Sequence, residues 1–236
     1  MSEKMGEHHM VCEYLPVLEI RDEKILVKGR IDRIRAHCAP PALHATSVIA
    51  AVLPDGRLLL ADKTQKQRKK GRLVPDGGHV YDCFGGHMTY QSIPEEELRE
   101  GLRMETFLEC AYRELSEELL RVTSDGSRIP FTPDKKCLIP IGRYSIENGH
   151  NREYSWGFLY VLPDFGPYTS EDTLLKETSF ETIFQPVIAV TWEELCESYL
   201  DNGSGGIIIS DGIGRMLAQN NGAELYECIK KNRGGL

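Results

Sequence analysis

The stretch GGHMTYQSIPEEELREGLRMETFLECAYRELSEELLR, residues 85–121, decides the fold, and the rest of the chain is organised around it. Its second half carries Glu114, Glu117 and Glu118, at spacings i, i+3 and i+4. On a helix these positions share one face, where like charges repel by roughly a few tenths of a kcal/mol per pair. Glutamate is a good helix former, so a solvated face is the ordinary explanation. A bound divalent cation is the alternative, because it turns the repulsion into attraction.

Magnesium is the cation that suits such a face. It takes oxygen ligands, keeps several waters, and is usually shared between a few carboxylates and substrate phosphates. The rest of the stretch favours a metal over a solvated face. It contains Arg113 directly before Glu114, Glu105 eight residues before Arg113, and the turn Gly85-Gly86-His87 upstream.

With these residues the stretch resembles the box of the Nudix hydrolase family. That box runs Gly, five residues, Glu, seven residues, Arg-Glu, an apolar residue, any residue, Glu-Glu, any residue, Gly and an apolar residue. The matching positions are Glu105, the seven-residue gap, Arg113, Glu114, Leu115, Glu117 and Glu118.

The chain departs from the box at both ends. Eighteen residues separate Gly86 from Glu105, so the loop carries an insertion of 13 residues, in which Pro94 and the acids after it predict a helix start. At the other end Leu120 and Arg121 replace the closing glycine and apolar residue. The helix therefore lacks the left-handed cap that a glycine provides.

The resemblance implies an α/β (α+β) fold, in which a Nudix-like mixed β-sheet lies between helices. It implies Mg²⁺ or Mn²⁺ as cofactor and a small-molecule diphosphate as substrate. The implied metal ligands and catalytic residues are Glu114, Glu117 and Glu118, with the backbone carbonyl of Gly85 or Gly86 as a further ligand. Arg113 and Glu105 are implied to be structural, pairing to hold the loop-helix-loop.

The composition is that of an ordinary globular chain: of its 236 residues, 41% are hydrophobic and 27% are charged. The chain is long and hydrophobic enough to form one sizeable core. The net charge of −8 argues against an extended nucleic-acid surface, which needs basic residues over a whole face. No apolar run approaches the ~20 residues that span a bilayer, and no signal peptide is evident. The seven cysteines form no CxxC pair, which favours reduced thiols and a cytoplasmic protein.

Patterning divides the chain into three parts. Residues 1–40 are expected to form a tail and a β-hairpin, residues 41–200 the Nudix domain, and residues 201–236 a helical C-terminal extension packed on it. The hairpin and the C-terminal helices are candidates for pocket walls or a homodimer surface. The segment 163–186 is expected to be irregular, and the resemblance makes its acids candidates for an extra ligand or base: Asp172, Glu177 and Glu181.

The strongest basic cluster is KTQKQRKKGR, residues 63–72. It is either a solvated loop or a site for substrate phosphates, to which Arg offers bidentate contacts and Lys point charges. The resembled family often places a substrate-facing basic residue just after the second core strand. Lys63 and Arg68 are therefore the candidate substrate-binding residues.

Two other functions stay open. The hairpin and Gly86-His87 also resemble isopentenyl-diphosphate isomerase-like members of the family, but the isomerase has a cysteine where this chain has Gly85, and its Glu-x-Glu pair is missing near residues 154–158. The other function is a non-catalytic module that binds a nucleotide or sugar phosphate, against which the three retained glutamates argue. The group attached to the diphosphate is not specified by the box.

Overall fold

The computed structural model describes residues 13–69, 71, 74–175, 180–201, 207–219 and 221–232. Its strands are β1 (Tyr14–Arg21), β2 (Lys24–Asp32), β3 (His44–Val52), β4 (Leu58–Asp62), β5 (His79–Asp82), β6 (Phe84–His87), β7 (Leu119–Val122), β8 (Arg128–Pro130), β9 (Leu138–Asn148), β10 (Asn151–Val161), β11 (Tyr168–Leu175), β12 (Phe180–Gln185), β13 (Val187–Val190) and β14 (Ile207–Ile209). Its helices are α1 (Arg33–Ala36), α2 (Thr64–Lys69), α3 (Glu95–Glu100), α4 (Met104–Glu118), α5 (Trp192–Leu200), α6 (Asp211–Ala218) and α7 (Asn221–Asn232). Every cysteine within the described ranges is a free thiol. None of the helices in those ranges has the length and apolar composition that crossing a membrane requires.

A mixed sheet forms the centre of the molecule. Its strands follow the order β14-β5-β4-β3-β10-β9, with β6 also paired to β3 and β13 to β4. The pairs β3–β10 and β14–β5 are parallel, whereas β3–β4 and β10–β9 are antiparallel. The predicted mixed β-sheet is therefore confirmed.

Strand β3 shows why this sheet is covered on both faces. Its side chains alternate, so that Ala45 and Ile49 join one core cluster while Ala50 and Val52 join the other. Both faces of the strand are apolar, as in strands buried on both sides. Helix α4 covers the first face with Phe107, Cys110, Ala111 and Leu115, and helices α5–α7 cover the second with Leu195, Ile213, Met216, Leu225 and Ile229. The predicted fold, a mixed β-sheet between helices with further helices towards the C-terminus, is confirmed.

The N-terminal hairpin is also confirmed. Strands β1 and β2 pair antiparallel through the turn Asp22-Glu23, where both residues have positive φ, 48° and 64°. Positive φ at both central residues gives the turn a twist that matches the flanking strands. The hairpin contacts the insertion, because the Leu102 N–H donates to the Ile25 carbonyl at 2.7 Å.

The inserted segment forms α3 directly after Pro94, as the sequence predicts. Its buried residue Glu97 accepts hydrogen bonds from the Arg103 N–H at 2.9 Å and from Thr106 Oγ1 at 2.6 Å. Since the first N–H groups of a helix lack intrahelical partners, this carboxylate stabilises the start of α4. The insertion thus packs between the hairpin and the start of α4.

Helix α4 ends in extended backbone. Leu119 has φ −92° and ψ 126°, and the chain continues directly into β7. Leu120 therefore stands in a strand, where no left-handed residue is needed. Strand β7 pairs antiparallel with β11, which pairs with β12. The expectation of irregular structure over residues 163–186 is wrong in these two strands, because β7 supplies an edge for them to pair with; Glu177 lies outside the described residues.

Candidate functional site

Two glycines of β6 allow α4 to lie against the sheet. Gly85 has φ +137°, and a Cβ on it would lie 2.2 Å from the carbonyl oxygen of Ser47. A Cβ on Gly86 would lie 2.5 Å from Oε2 of Glu114. Only residues without side chains fit these positions, so the glycines bring the α4 carboxylates onto the backbone of β6.

Glu114 and Glu118 are one helical turn apart, and both are buried, with 9% and 8% of their surface exposed. The Gly85 N–H donates to Glu118 Oε2 at 3.1 Å. The Gly86 carbonyl oxygen lies 3.9 Å from the Cys110 thiol of the same helix. The structure therefore brings two of the three predicted carboxylates together with Gly86. The Glu117 side chain is instead 58% exposed, on the solvent side of the helix.

Burial sets the protonation of the two buried carboxyls. It raises the pKa of Glu114 to about 7, an effect that the charges of Glu118 and Glu117 increase and Arg113 opposes. Burial also raises the pKa of Glu118, while the nearby Lys63 opposes the rise. A divalent cation would relieve the repulsion between these carboxylates.

Arg113 ties α4 to β6. Its guanidinium donates to the His87 carbonyl at 2.9 Å, to Glu117 Oε2 at 2.7 Å, and to the Glu114 carboxylate. The expected pair between Arg113 and Glu105 is not formed in the structure, where the two residues stand eight positions apart in α4, about 12 Å of rise. The Glu105 side chain is exposed in the first turn of α4, where a negative charge suits the helix dipole.

Lys63, a predicted substrate-binding residue, is buried beside Glu118. Its Nζ lies 3.3 Å from Glu118 Oε1 and 2.9 Å from Asp172 Oδ2. Nζ of Lys66 lies 2.5 Å from the other oxygen of Asp172. Burial opposes ionisation of Asp172, but Lys63 and Lys66 lower its pKa to about 2. Burial also opposes the charge on Lys63, yet Glu118 and Asp172 raise its pKa, so Lys63 and Asp172 are both charged at neutral pH.

A cavity of about 550 Å³ lies in front of Glu118 and Lys63, and Arg33 and Lys66 add positive charge to its wall. Arg68 lines a separate cavity of about 500 Å³. It lies five residues beyond Lys63, at an exposed position of α2. Lys63 and Arg68 thus line different cavities, and both remain candidate substrate-binding residues.

Three histidines form a second group at the same cavity. One ring nitrogen from each of His37, His44 and His87 lies within 4.8 Å of the other two. Oε1 of Glu153 lies 3.8 Å from Nε2 of both His44 and His87. His37, His87 and Glu153 line the cavity that also contains Glu118. Imidazole nitrogens with one carboxylate are a donor set typical of transition metals such as zinc.

The hydrogen bonds of the histidines suit metal ligation. Nδ1 of His44 lies 2.8 Å from the Ala42 carbonyl oxygen and donates to it, which leaves Nε2 as the nitrogen that could ligate a metal. Across the described part of the chain, Nε2 of His44 and both ring nitrogens of His87 are buried without a hydrogen-bond partner. Burial lowers the pKa of His87, with Arg33 and the other two histidines adding to the effect, so the ring is neutral. Ring nitrogens that are buried without a hydrogen-bond partner can accept a metal ion.

The sequence interpretation did not single out His37, His44 or Glu153, and could not choose Asp172 among several acids. The parallel pairing of β3 with β10 sets His44 opposite Glu153, 109 residues away. The pairing of β11 with β7 brings Asp172 beside the end of α4. Both contacts depend on long-range strand pairing, and no local spacing signals them.

No protein-family model and no curated protein sequence matches the chain. Among solved structures, the protein DR0079 from Deinococcus radiodurans is 14% identical, with a TM-score of 0.48 over 87% of this chain and 97% of that one. A MutT protein from Methanosarcina mazei Go1 is 15% identical, with a TM-score of 0.37 over 81% and 96%. A bifunctional NMN adenylyltransferase/ADP ribose pyrophosphatase from Francisella tularensis, solved with AMP and an Mn ion, is 12% identical, with a TM-score of 0.35 over 80% and 42%. Similarities at this level identify no activity.

Proposed function

We propose that the protein is a metal-dependent hydrolase of the Nudix type, which cleaves a diphosphate linkage in a nucleoside-diphosphate-type or other organic diphosphate. The observation that carries the proposal is the pair of buried carboxylates, Glu114 and Glu118, held against the β6 backbone beside a cation-lined cavity. The resemblance of residues 105–118 to the Nudix box supports the same function.

The donor set fits Mg²⁺ or Mn²⁺. Glu114, Glu118 and the Gly86 carbonyl offer oxygen atoms, the ligand type that these ions prefer, and Glu117 is a further oxygen donor on the same helix. When bound, such an ion polarises a diphosphate and acidifies the attacking water.

The remaining contributions come from side chains of the chain itself. Lys63, Lys66 and Arg33 present positive charge to the phosphate oxygens. One of the α4 glutamates, or an acid of the 163–186 segment, would take the proton of the attacking water as general base. Arg113 holds α4 on β6 and so positions both buried carboxylates.

The three-histidine group favours a second candidate, an isopentenyl-diphosphate isomerase-like reaction. It adds a nitrogen-donor metal site and the carboxylate of Glu153 to the cavity proposed for the diphosphate. Isomerisation moves protons on the organic group, which requires an acid and a base at the cavity wall. The Cys83 thiol lines the cavity, but burial raises its pKa well above its usual range, and Gly85 stands where the isomerase has its cysteine. The hydrolase is therefore the better-supported function.

A panel of organic diphosphates is incubated with Mg²⁺ in ¹⁸O-labelled water, and the products are separated by chromatography and analysed by mass spectrometry, which tests both candidates. The hydrolase predicts two products, one of which carries ¹⁸O on phosphorus. The isomerase predicts a product of unchanged mass with a moved double bond. Binding of panel members without turnover would support the non-catalytic module and contradict the hydrolase.

A further inference from the structure

Lys63 occupies a position between two buried carboxylates. Its Nζ lies 3.3 Å from Glu118 Oε1 and 2.9 Å from Asp172 Oδ2, and the three residues are 6%, 8% and 5% exposed. Oxygen atoms from two carboxylates around one positive charge resemble the surroundings of a hard metal ion. Here an ammonium group of the chain supplies that charge.

The Lys63 ammonium group and a metal ion would compete for the Glu118 carboxylate. Lys63 and Lys66 carry two positive charges, and Glu118 and Asp172 in their ionised forms carry two negative charges. A divalent cation bound to Glu118 would place a second positive charge within a few ångströms of the buried Lys63 ammonium group. An excess of buried charge is unfavourable unless an anion accompanies it. A diphosphate is such an anion, and the cavity in front of Lys63 provides room for it.

The chain allows the ammonium group to change partners without moving its backbone. The Lys63 N–H donates to the Val80 carbonyl at 2.7 Å, which fixes the main chain to β5. The long side chain lines the cavity and can turn towards a ligand by rotation about its own bonds.

We propose that Lys63 takes the place of the metal ion between Glu118 and Asp172 in the resting protein, and turns to the diphosphate when the metal binds. The metal and the diphosphate then stabilise each other's binding, because each removes the unfavourable charge that the other leaves. This inference rests on the proposed function and names Lys63 as the residue that couples the two ligands.

The test compares Mg²⁺ binding to the wild-type protein, Lys63→Met and Lys69→Met by isothermal titration calorimetry, without any diphosphate. Magnesium is the appropriate probe because imidazole ligands take it poorly, so the histidine group does not contribute. Lys69 is an exposed lysine at the end of α2, the helix that begins directly after Lys63, so its variant controls for the loss of one charge. Removing a positive charge a few ångströms from the ion should tighten Mg²⁺ binding by at least about tenfold in Lys63→Met, and by less than about twofold in Lys69→Met.

Lys63→Met that binds Mg²⁺ no more tightly than the wild type overturns the inference. If circular dichroism shows that Lys63→Met does not fold, Mg²⁺ binding to Lys66→Met tests the inference instead. It removes the second cation of the group, and a gain of about threefold is expected from its greater distance to Glu118; no gain overturns the inference.

A second arm separates the inference from the proposed function. Methylenediphosphonate, which is not hydrolysed, should bind the wild type more tightly with Mg²⁺ than without it, and Lys63→Met should lose most of that difference. If Mg²⁺ tightens methylenediphosphonate binding equally in the wild type and in Lys63→Met, the role of Lys63 is overturned, but the proposed metal-dependent hydrolysis is not. A wild type that binds no Mg²⁺, with or without methylenediphosphonate, overturns both.

Discussion

Gly86→Ala tests whether the close approach of β6 and α4 is what positions Glu114. The new Cβ would lie 2.5 Å from Oε2, 2.6 Å from Cδ and 2.7 Å from Oε1 of Glu114, whereas ordinary contact begins at 3.4 Å. The carboxylate must therefore move by about 1 Å, and it is both buried and bonded to Arg113. Forcing one extra methyl group into such a contact costs about 1–3 kcal/mol of unfolding free energy.

The same movement should weaken metal binding. Metal–ligand distances tolerate only about 0.2 Å, so a carboxylate displaced by about 1 Å no longer contributes, and we expect Mg²⁺ affinity to fall by at least about tenfold. Urea denaturation gives the stability change, and calorimetric titration with Mg²⁺ gives the affinity. A Gly86→Ala protein with wild-type stability and Mg²⁺ affinity within about twofold of the wild type would refute this positioning of Glu114.

Two other glycines provide a control and a more severe substitution for this experiment. At Gly149 an added Cβ meets no atom within 4 Å, so Gly149→Ala is the matched control and should change stability by less than about 0.5 kcal/mol. At Gly85 the Cβ would meet backbone at 2.2 Å, and its φ of +137° is unsuited to alanine. Since neither the backbone of β3 nor this φ can yield easily, Gly85→Ala should cost more than Gly86→Ala.

Three further predictions concern separate parts of the molecule. Because the folded pKa of Glu114 is raised from 4.5 to about 7, its contribution to stability is present below pH 4.5 and lost as pH rises through 7. Between pH 4.5 and 8, the unfolding free energy of the metal-free wild-type protein, measured by urea denaturation, should fall by about 3 kcal/mol more than that of Glu114→Gln. An equal fall in both proteins would contradict the burial effect. His44→Ala should weaken Zn²⁺ binding by at least about tenfold, whereas His79→Ala, which changes a histidine at the other cavity, should leave it unchanged; equal titrations would exclude the histidine group as a metal site. Glu97→Gln should lower the unfolding free energy by about 1–2 kcal/mol, because it weakens the hydrogen bonds to the start of α4. The same change at the exposed Glu95 should leave the unfolding free energy almost unchanged. Similar denaturation midpoints for the two variants would contradict the stabilisation of α4 by Glu97.

Local sequence patterns predicted the elements whose cause is local. The spacing of Glu114, Glu117 and Glu118 predicted a helix, and all three residues lie in α4. The β-hairpin expected within residues 1–40 is the antiparallel pair β1–β2. These elements are specified by neighbours a few positions apart.

The elements that the sequence did not predict depend on distant partners. Inward positions of β11 include Ser170 and Asp172, which are buried and polar, so this strand lacks the apolar alternation that identifies a strand. It forms because β7 lies beside it. His44 and Glu153 meet only because β3 and β10 pair in parallel. The candidate site thus combines a helix that its own sequence predicts with ligands that only the folded sheet brings together.

The claim that Glu114 and Glu118 hold a catalytic divalent cation is tested most directly by one comparison. The value of kcat/KM for the best substrate of the diphosphate panel, at saturating Mg²⁺, is measured for Glu118→Gln and for Glu109→Gln, an exposed glutamate of the same helix. We predict a fall of at least about 1,000-fold for Glu118→Gln, because a metal ligand is lost, and a change within about twofold for Glu109→Gln, with both proteins folded by circular dichroism. A Glu118→Gln protein that retains activity within about threefold of the wild type would contradict the metal site.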